Sequence, residues 1–164
     1  RAVDAVPGNY WAYYNYAVEL QNQGSFEDAI RHYLQAIYFK RTFHMAYYNL
    51  GTACQAVGDR DQAVLAYERA IGLFLRLNYV HAKHSEALNN LAVVHYELGN
   101  VARATELYEQ ALELNPRLPA SLVGYGRLLV LEGKLEAARR HFNKALEIQP
   151  DYVHAQLALE ALDE

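Results

Sequence analysis

Three asparagine residues occupy matching positions in a periodic sequence. Asn15, Asn49 and Asn90 are separated by 34 and 41 residues. An asparagine side chain offers both a hydrogen-bond donor and an acceptor, so a ladder of them can pair with successive peptide groups of an extended chain. In the alternative interpretation, each asparagine bonds only to neighbours on its own helix. The spacing therefore raises peptide recognition as one of two hypotheses.

Histidine is the other residue type that suggests chemistry. His81 and His84, two of seven histidines, lie three residues apart, which places them on one face of a helix. A metal ion would need a third ligand, from His44 or a carboxylate such as Glu86, and two histidines alone are weak evidence. We interpret them as solvated loop histidines and expect no metal and no cofactor.

Sequence motifs of catalysis are absent from the chain. It contains no glycine-rich phosphate loop, no HExxH sequence and no nucleophile elbow. The single cysteine, Cys54, excludes an intrachain disulfide and a cysteine-based zinc site, and it favours a reducing compartment weakly. We therefore predict that the chain is not an enzyme and that it is cytoplasmic.

Composition and charge are those of an ordinary folded protein. The chain of 164 residues is 52% hydrophobic and 21% charged, with a formal net charge of −4. That charge gives no electrostatic reason to expect nucleic acid or an anionic membrane as a partner. No apolar run approaches the roughly 20 residues that span a bilayer. Tyrosine is abundant, at 14 residues, and suits half-buried surfaces and surfaces that meet a partner.

Small residues recur through the whole chain with one set of intervals. Each of several series is spaced by 34, 41 and 34 residues, and a series of large aromatic residues keeps the same spacing. Apolar residues at helical spacing flank a glycine in every unit, which predicts helix, tight turn, helix. The series are Ala17, Gly51, Ala92 and Gly126; Gly24, Gly58, Gly99 and Gly133; Ala29, Ala63, Ala104 and Ala138; and Tyr33, Tyr67, Tyr108 and Phe142.

The small residues predict where helices touch. Gly51 and Ala63 allow the two helices of one unit to approach closely, and Tyr67 fills the remaining volume. The residue after the turn glycine can cap the second helix in the first three units, as Ser25, Asp59 and Asn100 would do, whereas Lys134 in the fourth unit cannot.

These positions resemble the tetratricopeptide repeat family, most clearly at Tyr47, Leu50, Gly51, Gly58, Ala63, Tyr67 and Ala70. The resemblance covers nearly the whole chain. It implies an all-α fold, a right-handed superhelical α-solenoid of stacked antiparallel helix pairs. We expect 1–9 to be the tail of a preceding repeat, 10–43, 44–84, 85–118 and 119–152 to be repeat units one to four, and 153–164 to be a C-terminal capping helix.

The longer interval between units two and three adds seven residues, or about two helical turns. It predicts an extended second helix in unit two, with Leu73, Leu77 and Val80 continuing its apolar stripe. This segment resembles the long repeats of kinesin light chains. Near the C-terminus, Glu160 takes the position of a small residue, which favours a solvating cap over a further repeat.

The resemblance also implies that the first helices line a concave groove, and that the chain is a protein–protein interaction scaffold that binds an extended peptide or partner segment there. The asparagine series resembles the ladder in O-GlcNAc transferase. The carboxylate clamp of chaperone-binding relatives is not matched, because only Asn49 fits it. The groove residues expected are Trp11, Tyr14, Asn15, Met45, Tyr48, Asn49, Thr52, Asn89, Asn90, Tyr96 and Arg127.

Two alternative functions remain open from the sequence. An apolar array end around Val3, Val6 and Tyr13 would support self-association into a homo-oligomer. The array would otherwise be the regulatory or docking arm of a larger enzyme. In each case the identity of the partner is not encoded in the repeat pattern.

Overall fold

Helices joined by short turns make up the structure. A computed structural model describes residues 9–77 and 82–163, and within these residues there are nine helices and no strand. The all-α fold class predicted from the repeats is confirmed. The helices are α1 (Tyr10–Asn22), α2 (Phe26–Phe39), α3 (His44–Ala56), α4 (Arg60–Arg76), α5 (Ala82–Glu97), α6 (Val101–Leu114), α7 (Pro119–Leu131), α8 (Leu135–Ile148) and α9 (Val153–Asp163).

The chain divides into two compact units, called unit 1 and unit 2, each of which holds two of the helix pairs and is described by itself. Unit 1 holds α1 to α4 and unit 2 holds α5 to α9. In unit 1, α1 packs against α2, α3 packs against α4, and α2 joins the pairs by packing against α3. In unit 2, α5 pairs with α6 and α7 with α8, α6 packs against α7, and α9 packs against both α7 and α8. Packing between sequence neighbours is typical of stacked helical repeats.

A glycine in the left-handed conformation forms the turn inside a helix pair. Gly58, at φ 83°, follows α3, and its N–H and that of Asp59 return to carbonyls in the last turn of α3 at 3.1 and 2.9 Å. Glycine adopts this conformation without the strain that a Cβ atom would cause. The Asp59 carboxylate then accepts a hydrogen bond from the Gln62 N–H at 3.1 Å and caps α4, as predicted.

The predicted caps at Ser25 and Asn100 are wrong, because neither side chain forms a capping hydrogen bond. The start of α2 is held by a backbone bond from the Ala29 N–H to the Ser25 carbonyl at 3.0 Å. The Asn100 side-chain amide lies instead 3.4 Å from a ring nitrogen of His95.

Close approach of α3 and α4 depends on the absence of a side chain at Gly51. A Cβ atom there would lie 2.7 Å from Cδ1 and Cε1 of the Tyr67 ring, which is fully buried. In unit 2 a Cβ at Gly126 would lie 2.4 Å from Cε1 of Phe142, the residue equivalent to Tyr67. The repeated pairing of a small residue with a large ring thus sets the contact inside these helix pairs.

The second helix of the second pair is longer than its counterparts. Helix α4 has 17 residues, whereas α2, α6 and α8 each have 14. Leu73 is buried, in line with the predicted apolar stripe, but the stripe does not continue to Leu77, which follows the last residue of α4 and is 52% exposed. Phe74 is fully buried and takes up the packing position. Val80 lies outside the described residues.

Helix α9 closes unit 2 by packing along α8. Ala155 is fully buried, and Leu162 packs against the same core as Phe142. The Asp163 carboxylate pairs with the Arg139 guanidinium at 2.6 Å, and Glu160 is exposed.

Candidate peptide-binding groove

All of the predicted groove residues lie on the first helices of the four pairs, which are α1, α3, α5 and α7. We call those on α1 and α3 the unit 1 face and those on α5 and α7 the unit 2 face. The unit 1 face comprises Trp11, Tyr14, Asn15, Met45, Tyr48, Asn49 and Thr52, and the unit 2 face comprises Asn89, Asn90, Tyr96 and Arg127.

An aromatic cluster forms part of the unit 1 face. The Trp11 ring lies 5.7 Å from the Tyr14 ring and 5.0 Å from the Phe43 ring, measured between centroids. Phe43 is buried and also contacts Tyr14 at 4.9 Å, with Met45 packed against the same core. Trp11 remains 48% exposed. The cluster therefore presents a supported aromatic surface, of the kind that contributes most to binding energy.

Hydrogen bonds hold the polar side chains of the unit 1 face in place. The Asn49 amide donates to the Tyr14 hydroxyl at 3.0 Å. The Thr52 hydroxyl donates to the Asn49 carbonyl at 2.8 Å and accepts from the Gln21 amide at 3.3 Å. Burial raises the pKa of Tyr14, and the bond from Asn49 opposes that shift. Asn15 is exposed. Asn49 thus positions a neighbouring ring, while Asn15 faces solvent.

A glutamine fixes the buried tyrosine in both pairs of unit 1. The Tyr33 hydroxyl donates to Gln21 Oε1 at 2.9 Å, and the Tyr67 hydroxyl donates to Gln55 Oε1 at 3.1 Å. These glutamines share a repeat position, which Tyr96 occupies in the third pair. The third pair therefore keeps the buried tyrosine but lacks its amide partner.

Two predicted groove residues, Tyr48 and Asn89, are buried, with 8% of each exposed. The Asn89 oxygen accepts a hydrogen bond from the buried Ser121 hydroxyl at 3.0 Å, which links α5 to α7, and its amide donates to Asn90 Oδ1 at 3.1 Å. The Tyr48 ring lies 6.2 Å from the Tyr67 ring. Both side chains are therefore largely engaged in packing inside their own units, and little of either is left to contact a ligand.

The unit 2 face contains two cavities, and Tyr96 and Arg127 border both of them. The smaller cavity, of about 210 Å³, is also lined by Val93, Glu97, Tyr108, Gly124 and Leu128. The larger cavity, of about 280 Å³, is also lined by Val130, Leu131, Phe142, Leu157, Ala158, Ala161 and Leu162.

Arg127 is a cation without a counterion at these cavities. Its side chain forms no hydrogen bond and no ion pair with any residue that the structure describes. Burial raises the pKa of Tyr108 to about 12, and the positive charge of Arg127 acts in the opposite direction, which places that charge near the phenol. Arg127 is therefore available to an anionic group of a ligand.

Packing explains why the asparagine series ends before the fourth pair. Gly124 takes the asparagine position there, and a Cβ atom on it would lie 2.4 Å from Cε1 of Tyr108. Tyr108 is buried and its ring occupies this space. An asparagine at 124 would therefore collide with the ring, so the asparagine series cannot continue into the fourth pair.

No metal site is present in the described part of the chain. No group of three or more histidine, cysteine, aspartate or glutamate side chains there could hold a metal ion. His84 lies in α5 and is buried, with a pKa lowered by burial, so its interpretation as a solvated loop residue is wrong. His81 lies outside the described residues.

Models of one family match most of the chain. The match, described as tetratricopeptide repeat, covers residues 42–117 and 87–151, and a second model of the same description covers residues 12–43. The chain belongs to the tetratricopeptide repeat family. Proteins of this family act as protein-interaction scaffolds, and the family predicted from the repeat pattern is confirmed.

One similar protein is the photosystem I assembly protein Ycf3 of Synechococcus sp. (strain CC9605). It is 33% identical to this chain over 109 residues, which cover 62% of this chain and 61% of Ycf3. Tetratricopeptide repeat protein 6 of Homo sapiens is 24% identical over 92% of this chain and 28% of its own length. This tetratricopeptide repeat chain thus spans less than two thirds of the length of these relatives.

Solved structures of tetratricopeptide repeat proteins have the same fold. MamA is 26% identical, with a TM-score of 0.78 over 92% of this chain and 84% of its own. The PilF protein of Pseudomonas aeruginosa is 20% identical, with a TM-score of 0.84 over 95% of this chain and 68% of its own, and it shows the fold alone. None of the helices in residues 9–77 and 82–163 combines the length and the hydropathy needed to cross a membrane.

Proposed function

We propose that this chain binds an extended segment of a partner protein along the first-helix faces of its repeats. The observation that carries the proposal is the exposure of aromatic side chains beside polar groups on these faces. Trp11 is 48% exposed next to the Asn49–Tyr14 hydrogen bond, and Tyr96 is 43% exposed next to Arg127. Half-exposed aromatic residues with polar neighbours are the usual anchors of protein interfaces.

The relatives support a role of this kind. Ycf3 proteins are named as photosystem I assembly proteins, and assembly of a protein complex involves contact with other proteins. For this chain we propose only the general activity of holding a partner segment, and we do not propose photosystem I as its partner. No catalytic step is needed for that activity.

Capture of a partner by paired variants tests the proposal. The chain is immobilised and incubated with lysate of its source, and captured proteins are quantified by mass spectrometry. The groove variant combines Trp11→Ala with Asn15→Ala. The matched control combines Tyr38→Ala with Asn143→Ala, which removes an exposed aromatic ring and an exposed amide from the second helices α2 and α8.

We expect a partner that the unmodified chain and the control retain at similar levels and that the groove variant retains at least about tenfold less, since a central aromatic anchor and its neighbours contribute 2 kcal/mol or more. Circular dichroism checks that both variants keep their helices. Equal retention by the groove variant and the unmodified chain would rule out the α1 part of the unit 1 face as a binding surface and would refute the proposal as stated.

A further inference from the structure

The Tyr108 hydroxyl has no hydrogen-bond partner in the described structure, and it is accessible from a cavity of unit 2. Tyr108 is 4% exposed and borders the smaller cavity of unit 2, and its hydroxyl forms no hydrogen bond with a described residue. Its equivalents Tyr33 and Tyr67 each donate to a glutamine. The Tyr108 hydroxyl has no such partner among the described residues and is not one of their buried atoms left unsatisfied, so it can donate to water or to a ligand in the cavity.

The direction of the hydroxyl is fixed by Gly124. A Cβ atom at Gly124 would lie 2.6 Å from the Tyr108 hydroxyl oxygen and 2.4 Å from the ring carbon that carries it. The hydroxyl therefore reaches across the surface of α7 where that helix has no side chain. Since Gly124 and Tyr108 line the same cavity, the hydroxyl is directed to the ligand side of the helix.

A second unpaired donor borders the same cavity. The Arg127 guanidinium carries five N–H donors and no acceptor, and it is unpaired among the described residues. Glu97 also lines this cavity, and its negative charge acts on the Tyr108 phenol in the direction opposite to that of Arg127. A phenol and a guanidinium at one cavity form a donor set that suits a carboxylate, because charge-assisted bonds to arginine are the strongest hydrogen bonds available to it.

We propose that unit 2 recognises a partner segment that carries an aspartate or glutamate next to a large apolar residue. The carboxylate accepts hydrogen bonds from Arg127 and Tyr108 in the smaller cavity. The apolar side chain enters the larger cavity, which is lined mainly by leucine, valine, alanine and phenylalanine. Arg127 and Tyr96 border both cavities, so the two ligand residues lie one or two positions apart.

We assign the anion to the side chain of an acidic residue within the segment, because Arg127 and Tyr96 border both cavities and the neighbouring apolar residue is to enter the larger one. This inference rests on the proposed function, since it assigns a ligand class to one part of the same surface.

A displayed peptide library identifies the ligand class directly. Random peptides with fixed residues at both ends, so that no free terminus is presented, are selected on the immobilised full chain and sequenced. We expect enrichment of aspartate or glutamate one or two positions from leucine, isoleucine, methionine or phenylalanine. A parallel library with a free C-terminus tests the other source of a carboxylate, and stronger enrichment there would overturn the assignment to a side chain.

The most enriched peptide is then synthesised with a fluorescent label and titrated by anisotropy. Arg127→Gln is expected to weaken binding at least about tenfold, and Tyr108→Phe several-fold, as is typical for hydrogen bonds to a charged group. Arg140→Gln is the matched control, because it removes one exposed charge from α8 in the same unit and lines neither cavity. It is expected to bind within about twofold of the unmodified chain.

The outcomes separate this inference from the proposed function. Enriched peptides without an acidic residue, or an enriched peptide held equally by Arg127→Gln, overturn the carboxylate site. If such a peptide is still lost by the Trp11→Ala and Asn15→Ala variant, the proposed function stands. A library that enriches nothing also counts against the carboxylate site, while the lysate experiment continues to decide the proposed function independently.

Discussion

Replacement of Gly51 by alanine tests the packing argument most directly. The new Cβ atom would lie 2.7 Å from two carbon atoms of the Tyr67 ring, well inside van der Waals contact. The ring has little freedom to move away, because Tyr67 is fully buried and its hydroxyl is bonded to Gln55 at 3.1 Å. Overpacking a core in this way typically costs about 1 to 3 kcal/mol, and the constrained ring places this site in the upper part of that range.

Alanine also has a higher helix propensity than glycine, which offsets about 1 kcal/mol of that cost. The expected net result for Gly51→Ala is a loss of about 1 to 2 kcal/mol in the free energy of unfolding. For a chain of this length that corresponds to a fall in Tm of about 5 °C. Urea titration followed by circular dichroism of the helices measures the change.

Gly72 provides a control with the same chemical change. It lies inside α4, and a Cβ atom on it would meet nothing within 4 Å. Gly72→Ala is therefore expected to stabilise the chain by up to about 1 kcal/mol through helix propensity alone. If Gly51→Ala proves as stable as Gly72→Ala, the contact between Gly51 and Tyr67 does not limit the approach of α3 and α4. Tyr67→Leu should restore part of the loss in the double variant, as coupling through a direct contact requires.

Three further predictions follow from burial and packing. Burial lowers the pKa values of His32 and His141, so the folded state favours the neutral rings. Stability should therefore fall as the pH drops below about 6.5, the pKa of histidine in the unfolded chain. The urea midpoint should decrease between pH 7.5 and 5.5, and it should decrease less in His141→Leu. Burial raises the pKa of Cys54 to about 11, so its thiol should react with a disulfide reagent at pH 8 only in urea; rapid reaction of the native chain would contradict its burial. Gly124→Asn should lower stability because of the 2.4 Å contact with Tyr108, and Tyr108→Leu should rescue it; an unchanged Tm in Gly124→Asn would refute the steric explanation for the missing asparagine.

The sequence alone was sufficient to predict the helix pairs and their internal contacts. Gly58 ends the first helix of its pair with a positive φ, because this effect is local and depends on residue type, and Asp59 caps the next helix as predicted. Ser25 and Asn100 at the same repeat position form no cap, so residue type alone does not decide capping. The contact between Gly51 and Tyr67 is also visible in the sequence, since a small residue and a large ring recur with one spacing. A repeated pattern constrains the fold because each unit must bury the same face against its neighbours.

The state of each groove side chain was decided only by the tertiary structure. Helical spacing places Tyr48, Asn89 and Tyr96 on first helices, but it does not reveal that the first two are buried and the third is exposed. The repeat position of Tyr108 places it in the series of large aromatic residues, but the place of its hydroxyl at a cavity depends on Gly124 in a different helix. Leu157 on α9 lies one period of 34 residues after Val123, which is on α7, the first helix of the fourth pair. The spacing therefore indicates that α9 takes the position of a first helix. Spacing along one helix determines which residues share a face, whereas exposure and hydrogen-bond satisfaction depend on side chains that other helices bring to that face.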